Sequence, residues 1–161
     1  MLNFYVPGKP ETAGSKKAFP IKRSTGNWGA SVVDANPRTK GWQSHVAQVA
    51  YAAMGDELFD GPLSVQIVFL LPRPKSHYRY GKYSDHLKPN APRAPETRPD
   101  VLKLARAVED AMTGICYHDD SQITAEFIVK RYSDAAGCVV RISSDPAGDG
   151  DWVKSLLKSC D

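Results

Sequence analysis

The sequence predicts a single α+β (α/β) domain: a small mixed β-sheet with two main helices, closed by a C-terminal hairpin and a short last helix. Three observations point there. The chain has 161 residues, the length of one ordinary domain, and at that size roughly 70% of the unfolded surface can be buried without a disulfide or metal staple. Its composition, 42% hydrophobic, 24% charged and 9% aromatic, is that of a globular protein. Its apolar residues follow strand-like runs in some segments and three- and four-residue steps in others.

Leu2–Val6 reads as a first strand, stopped by Pro7-Gly8. Lys9–Arg23 is polar, basic and broken by Gly and Pro, so a mobile loop is expected. Trp28–Val33 suits a short strand. From Thr39 to Met54, Trp42, Val46, Val49 or Ala50, and Ala53 fall on one helical face, with Gly55 as the expected C-cap. Pro62–Leu71 (PLSVQIVFLL) is β-branched and then continuously apolar, as an inner strand should be. Pro72 to Arg98 differs: half of the chain's prolines lie between Pro72 and Pro99, among Tyr78, Tyr80 and Tyr83, and extended backbone is expected. Asp100–Thr113 is a second helix, with Pro99 at its first turn and Gly114 just past its end. Ser121–Tyr132 alternates apolar and polar residues, and Gly137–Ser143 is expected to pair with it as a hairpin through Ser133–Ala136. Residues 1–144 form the domain. Residues 145–161 form a linker and a short helix, Asp151–Cys160.

Composition excludes several classes. The longest apolar run, around Val65–Leu71, is far too short for a membrane helix, so no membrane partner is expected. MLNFYVPGKP lacks a signal-peptide pattern, so export is not expected. Cys116, Cys138 and Cys160 are too widely spaced for a disulfide framework or a zinc ribbon and fit a reducing cytoplasm. The net charge of +3 is mild, but its distribution is uneven. Met1–Lys40 carries seven Lys or Arg against Glu11 and Asp34, Leu71–Pro99 carries seven against Asp85 and Glu96, and the balance turns acidic from Glu109. Basic loops around an acidic centre suit a polyanion together with a divalent metal; the alternative is an unevenly charged solvated surface.

The informative stretch is Arg98–Ile123. At 100° per residue, Val101, Leu104, Ala105, Val108, Ala111 and Met112 form one apolar stripe, and Asp100, Lys103, Arg106 and Asp110 lie on a flank. Leu102 breaks the pattern, projecting beside Glu109 where a polar residue belongs. Beyond the helix, Asp119 and Asp120 stand just before a strand. A returning loop can bring one of them near Asp100, and carboxylates converging from separate elements suit Mg²⁺. The alternative is that Asp100 caps a helix while Asp119-Asp120 forms a turn.

The ordered set Arg98-Pro99-Asp100, Lys103-Leu104, Asp110-Ala111-Met112-Thr113-Gly114 and Asp119-Asp120-Ser121-Gln122-Ile123 resembles the RusA-type Holliday-junction resolvases, especially their phage-borne relatives. Phe4-Tyr5-Val6-Pro7-Gly8-Lys9-Pro10 and Leu71-Pro72-Arg73-Pro74-Lys75 resemble that family's opening strand and middle strand exit, so the likeness covers most of Leu2–Ser144. It implies a RusA-like fold and a homodimeric, Mg²⁺- or Mn²⁺-dependent endonuclease that nicks four-way DNA junctions symmetrically in the cytoplasm of a bacterial host. It further implies metal-binding acids at Asp100 and Asp120 with Asp119 adjacent, and a basic residue, Arg106, for phosphate contact or transition-state charge. The family's remaining acid is expected where this chain has Leu102. Either Glu109 or Asp119 compensates, or the chain binds junctions with impaired cleavage; impairment is favoured, because Glu109 is displaced along the helix.

Lys16, Lys17, Lys22, Arg23, Arg73, Lys75, Arg79, Lys82 and Lys103 are the candidate DNA contacts, with solvated loops as the alternative. Tyr78, Tyr80 and Tyr83 among cations suit stacking on unpaired bases, or else pack on the domain. The four His show no metal-ligand spacing, and His118, beside the acid pair, is a candidate for proton transfer or phosphate contact. Two further readings stay open: a catalytically inactive junction-binding protein, and an interaction protein with no nucleic-acid role.

Overall fold

The computed structural model describes residues 1–14, 16–34, 36–55 and 57–144; the linker and short helix expected over 145–161 lie outside the described residues. The elements are β1 (Leu2–Pro7), β2 (Lys16–Lys22), β3 (Trp28–Asp34), α1 (Thr39–Ala53), β4 (Leu63–Leu71), α2 (Val101–Met112), β5 (Ile123–Tyr132) and β6 (Gly137–Ser143). They build one mixed α+β domain, with a four-stranded sheet in the order β1-β6-β4-β5 and a separate two-stranded ribbon, β2-β3.

β4 is the centre, as its largely apolar sequence ending in Ile67–Leu71 requires. Every residue from Leu63 to Leu71 is buried apart from half-buried Leu70. One face of the sheet presents Val6, Leu63, Val65, Ile67, Phe69, Val140 and Ile142 to the helices. α1 answers with Trp42, Val46 and Ala50, and α2 with Leu104, Ala107, Val108 and Met112. The α2 stripe is the expected one with Ala107 added and Val101 half exposed. Gly114, at φ +76°, takes the left-handed conformation that ends the helix. α1 ends instead at Met54 in extended backbone, so Gly55 is not its cap.

The expected C-terminal hairpin does not form. β4 lies between β5 and β6, parallel to β5 and antiparallel to β6, so that Val68 faces both Val129 and Val139. The physical reason is that β4 is buried on both faces, Ser64 and Gln66 included, and must be flanked on both edges, whereas β5 and β6 offer alternating faces that locally resemble two arms of a hairpin. Residues 133–136 therefore cross the end of β4, a span of about 9.5 Å that four residues easily cover. The Ser133 amide donates to the Leu71 carbonyl at 2.9 Å.

Two other expectations are corrected. Lys9–Arg23 is not all loop, because Lys16–Lys22 forms β2 and pairs with β3 around a turn closed by the Arg23 amide donating to Asn27 O (2.8 Å). Pro20 masks this strand in the sequence, but a two-stranded ribbon has free edges where a missing N–H costs nothing. Pro72–Arg98 is not simply extended either. It contains two short 3₁₀ turns, Lys75–His77 and Gly81–Tyr83, and folds back on itself through a bridge between Tyr78 and Leu87.

Candidate active site

α2 packs beside β5 and carries charged residues, Lys103, Arg106 and Asp110, on its uncovered flank. Four- and three-residue steps place Leu102, Arg106 and Glu109 along one line of that flank. The two ends of the line have different chemistry.

At the N-terminal end, Asp100 occupies the N-cap position, but its carboxylate makes no capping hydrogen bond. It pairs instead with the Lys103 ammonium at 3.4 Å, both side chains being more than half exposed. Leu102 is 71% exposed. It lines a shallow pocket of about 250 Å³ with Ala13, Gly14, Lys103 and Arg106. The Ala13 amide donates to the Lys103 carbonyl at 2.8 Å and ties the loop after β1 to the helix.

At the C-terminal end, Glu109, Asp120 and Glu126 line a cleft of about 360 Å³ with Ile123, Thr124 and Ala125. Glu109 is half-buried, and its pKa is pushed up to about 8. Burial is the first cause; a hydrogen bond with the Glu126 carboxyl and the negative charges of Glu126, Asp110 and Asp120 add to it. The Oε1 atom of Glu109 is buried with no hydrogen-bond partner among the described residues. Its backbone carbonyl accepts from the hydroxyl of fully buried Tyr117 at 3.1 Å, which pins this end of the helix to the core.

Asp119 and Asp120 play different parts. Asp119 caps the 3₁₀ turn Asp120–Gln122, accepting from the Ser121 amide at 2.9 Å. Those Ser121 hydrogen bonds hold its pKa below the ordinary carboxylate value. Gln122 completes the box: its Oε1 accepts from the amides of His118 and Asp119, and its Nε2 donates to the carbonyls of Phe59 and Gly61. The turn is thereby braced against the chain entering β4, and Asp120 is free to face the cleft. His118 points elsewhere, its Nε2 lying 3.2 Å from an Asp60 oxygen.

Asp100 does not line this cleft. It lies nine positions before Glu109, or roughly 13 Å along the helix axis. Asp120 instead meets Glu109, the acid that the displacement argument disfavours, and Glu126, an acid that sequence reasoning passes over. A signal for Glu126 exists: it shares its strand face with Ile128, which packs on the core, and with Lys130, whose ammonium donates to the carbonyls of Thr97 and Pro99 at 2.9 Å. An acid on the helix-facing side of a strand needs a partner or a task.

The basic candidates divide. Arg106, Lys75, Arg79, Lys82, Lys22 and Arg23 are exposed. Arg73 is occupied, its guanidinium stacked 4.0 Å from the Tyr132 ring centroid and donating to Pro92 O at 2.7 Å. Lys103 is paired with Asp100. Lys16 and Lys17 lie in β2, but their side chains fall outside the described residues.

Residues 7–143 match the family model of endodeoxyribonuclease RusA, from the last residue of β1 to the last of β6. The chain belongs to the RusA family. That family is one of endodeoxyribonucleases, which makes DNA the substrate this scaffold serves. The chain is also similar to the uncharacterised protein YqaN of Bacillus subtilis (strain 168), 31% identical over 97 residues that cover 60% of this chain and 68% of YqaN.

Among the described residues, no group of three or more His, Cys, Asp or Glu is arranged to hold a metal ion. The donor chemistry of the RusA cleft nonetheless fits a hard divalent cation. It gathers carboxylates from a helix, a turn and a strand, leaves one buried oxygen without a partner, and raises the pKa of Glu109 through burial first and neighbouring negative charge second.

Proposed function

We propose that this RusA-family chain is a metal-dependent, structure-specific endonuclease that resolves four-way DNA junctions by paired nicks. The observation that carries the reading is the acidic cleft of Glu109, Glu126 and Asp120 on a scaffold of DNA-cutting enzymes. Asp120, with Glu109 and Glu126, would hold Mg²⁺ or Mn²⁺. Such an ion, when bound, supplies Lewis acidity toward a phosphodiester and a water acidic enough to attack at neutral pH.

The chain's own residues do the remaining work. Glu109, whose pKa burial and the neighbouring acids raise, holds a proton that a bound cation would displace. Arg106, exposed one turn from Glu109 on the same line of α2, meets the phosphate next to the cut. Lys22 and Arg23 at the tip of the β2-β3 ribbon, with Lys75, Arg79 and Lys82 beyond β4, grip the arms. Asp100 orients Lys103 rather than completing the cleft. Two symmetric cuts on a two-fold junction require two related sites, hence a homodimer. The site of action would be the cytoplasm of a bacterial host; among the described residues, no helix is long and apolar enough to cross a membrane.

A second reading is favoured by one observation. Leu102 stands exposed where the resemblance calls for an acid, as expected of a chain that binds junctions without cutting them. A nicking assay on a synthetic four-way junction with millimolar Mg²⁺ or Mn²⁺ separates the two. Paired nicks that vanish in Asp120→Asn support the enzyme. Tight binding without cuts supports the binding protein, and equal weak binding to junction and duplex at low salt removes both.

A further inference from the structure

The segment between β4 and α2 carries a feature that the acidic cleft does not use. Residues 77–88 close a small lobe: the Arg79 amide donates to His86 O and the Lys88 amide to His77 O, both at 2.9 Å, around the Tyr78–Leu87 bridge. Within it, the Ser84 amide donates to Gly81 O (3.1 Å) and the His86 amide to Tyr83 O (3.0 Å). Gly81, at φ +64°, makes the turn possible. The Lys88 ammonium donates back to Ser76 O at 2.8 Å. The base is fixed to the sheet by Arg73 over Tyr132 and by the His77 ring packed edge-on against Tyr132 at 5.7 Å.

On this platform the Tyr80 and Tyr83 rings are turned to solvent. Tyr80 is 80% exposed and Tyr83 47%. Each ring has a cation at one side: Lys88 Nζ lies 4.8 Å from the Tyr80 centroid and Lys82 Nζ 5.0 Å from that of Tyr83. Lys75 and Arg79 add exposed positive charge, and the lobe's acid, Asp85, is already paired with His86 at 2.7 Å. Leu87 is the remaining exposed large apolar side chain of the lobe among the described residues, too little apolar surface for a protein-binding hot spot. A surface of exposed rings alternating with cations matches unstacked bases on a phosphate backbone.

We infer that the 77–88 lobe is a branch-point reader, in which Tyr80, flanked by Lys88, stacks on a base left unstacked at the centre of the junction. The inference rests on the proposed function and adds to it the origin of structural selectivity. In continuous duplex every base already has stacking neighbours, so Tyr80 gains nothing there. At a branch the neighbours are missing, and one ring restores them. The cations hold the backbone in either case and carry no preference between the two.

The test uses the full chain in EDTA, so that nothing is cut, with a four-way junction carrying 2-aminopurine at the branch and a linear duplex of the same sequence. Wild type binds the junction more tightly and changes the branch-point fluorescence. Tyr80→Ala lowers junction affinity by between about five- and a hundredfold, the range expected for losing one stacked base. The junction-to-duplex ratio then collapses toward one and the fluorescence change disappears, while Tyr80→Phe retains both. If Tyr80→Ala keeps the wild-type ratio and fluorescence change, or lowers junction and duplex binding alike, the inference is overturned while the nuclease reading stands. If wild type binds neither DNA, the nuclease reading itself falls.

Discussion

Replacing Glu109 by Gln gives the sharpest test of the acidic cleft, because glutamine copies a protonated carboxyl and cannot ionise. Glu109 has a folded pKa of about 8, raised chiefly by burial and then by the neighbouring acids. A carboxyl whose folded pKa lies above its unfolded value binds its proton more tightly in the native state, so its penalty is absent below pH 4 and grows as the pH rises towards 8. The gap between an ordinary glutamate and a value near 8 sets a ceiling of about 5 kcal/mol. Because the side chain is only half-buried, solvent screening leaves about 1–2 kcal/mol. Without metal, the wild type therefore loses that much stability between pH 5 and pH 9, and Glu109→Gln does not. For a domain of this size the difference is a melting-temperature gap of about 2–8 °C at pH 9 that closes at pH 5. Thermal or urea unfolding in EDTA across that range measures it. Parallel pH profiles for the two proteins would refute the claim that the cleft crowds negative charge around Glu109.

The same proton gives a metal signature: Mn²⁺ binding near pH 7 should release protons, so that its calorimetric enthalpy varies with the ionisation heat of the buffer in wild type and much less in Glu109→Gln. Leu102→Asp should raise junction cleavage, read as nicked product per minute, since it introduces an acid one turn before Arg106; an unchanged rate would show that the N-terminal end of α2 takes no part in the chemistry. Phe69→Ala, at a fully buried position on β4, should cost about 3–5 kcal/mol by urea unfolding.

Much of the architecture is legible in the sequence because its signals are local. The α2 stripe, the glycine that stops the helix and the double-sided burial of β4 all follow from residues within a few turns of one another. What escapes is non-local. Nothing near Gly137–Ser143 reveals that β4, some seventy residues earlier, occupies the place its neighbour β5 would take in a hairpin. Pro20 conceals β2 because its cost depends on a ladder that the sequence does not display. The candidate site follows the same rule. Asp120 is legible from its motif, but its partners Glu109 and Glu126 come together only through the packing of α2 on β5. Asp100, which the resemblance groups with Asp120, is not among the residues that line the cleft and lies at the other end of α2 from Glu109.

The split arrangement of β5 and β6 also governs how a nascent chain acquires this fold. β1 waits for β6, its residue Leu2 facing Ile142, and β4 has no neighbour on either edge until the last two strands have been made. Nearly the whole domain must therefore leave the ribosome before its sheet can close. Until then the nine-residue strand Leu63–Leu71, mostly apolar and buried on both faces in the finished fold, stays open to other chains. A variant that slows translation after β4 should accumulate as aggregate in cells while keeping the stability of the finished protein.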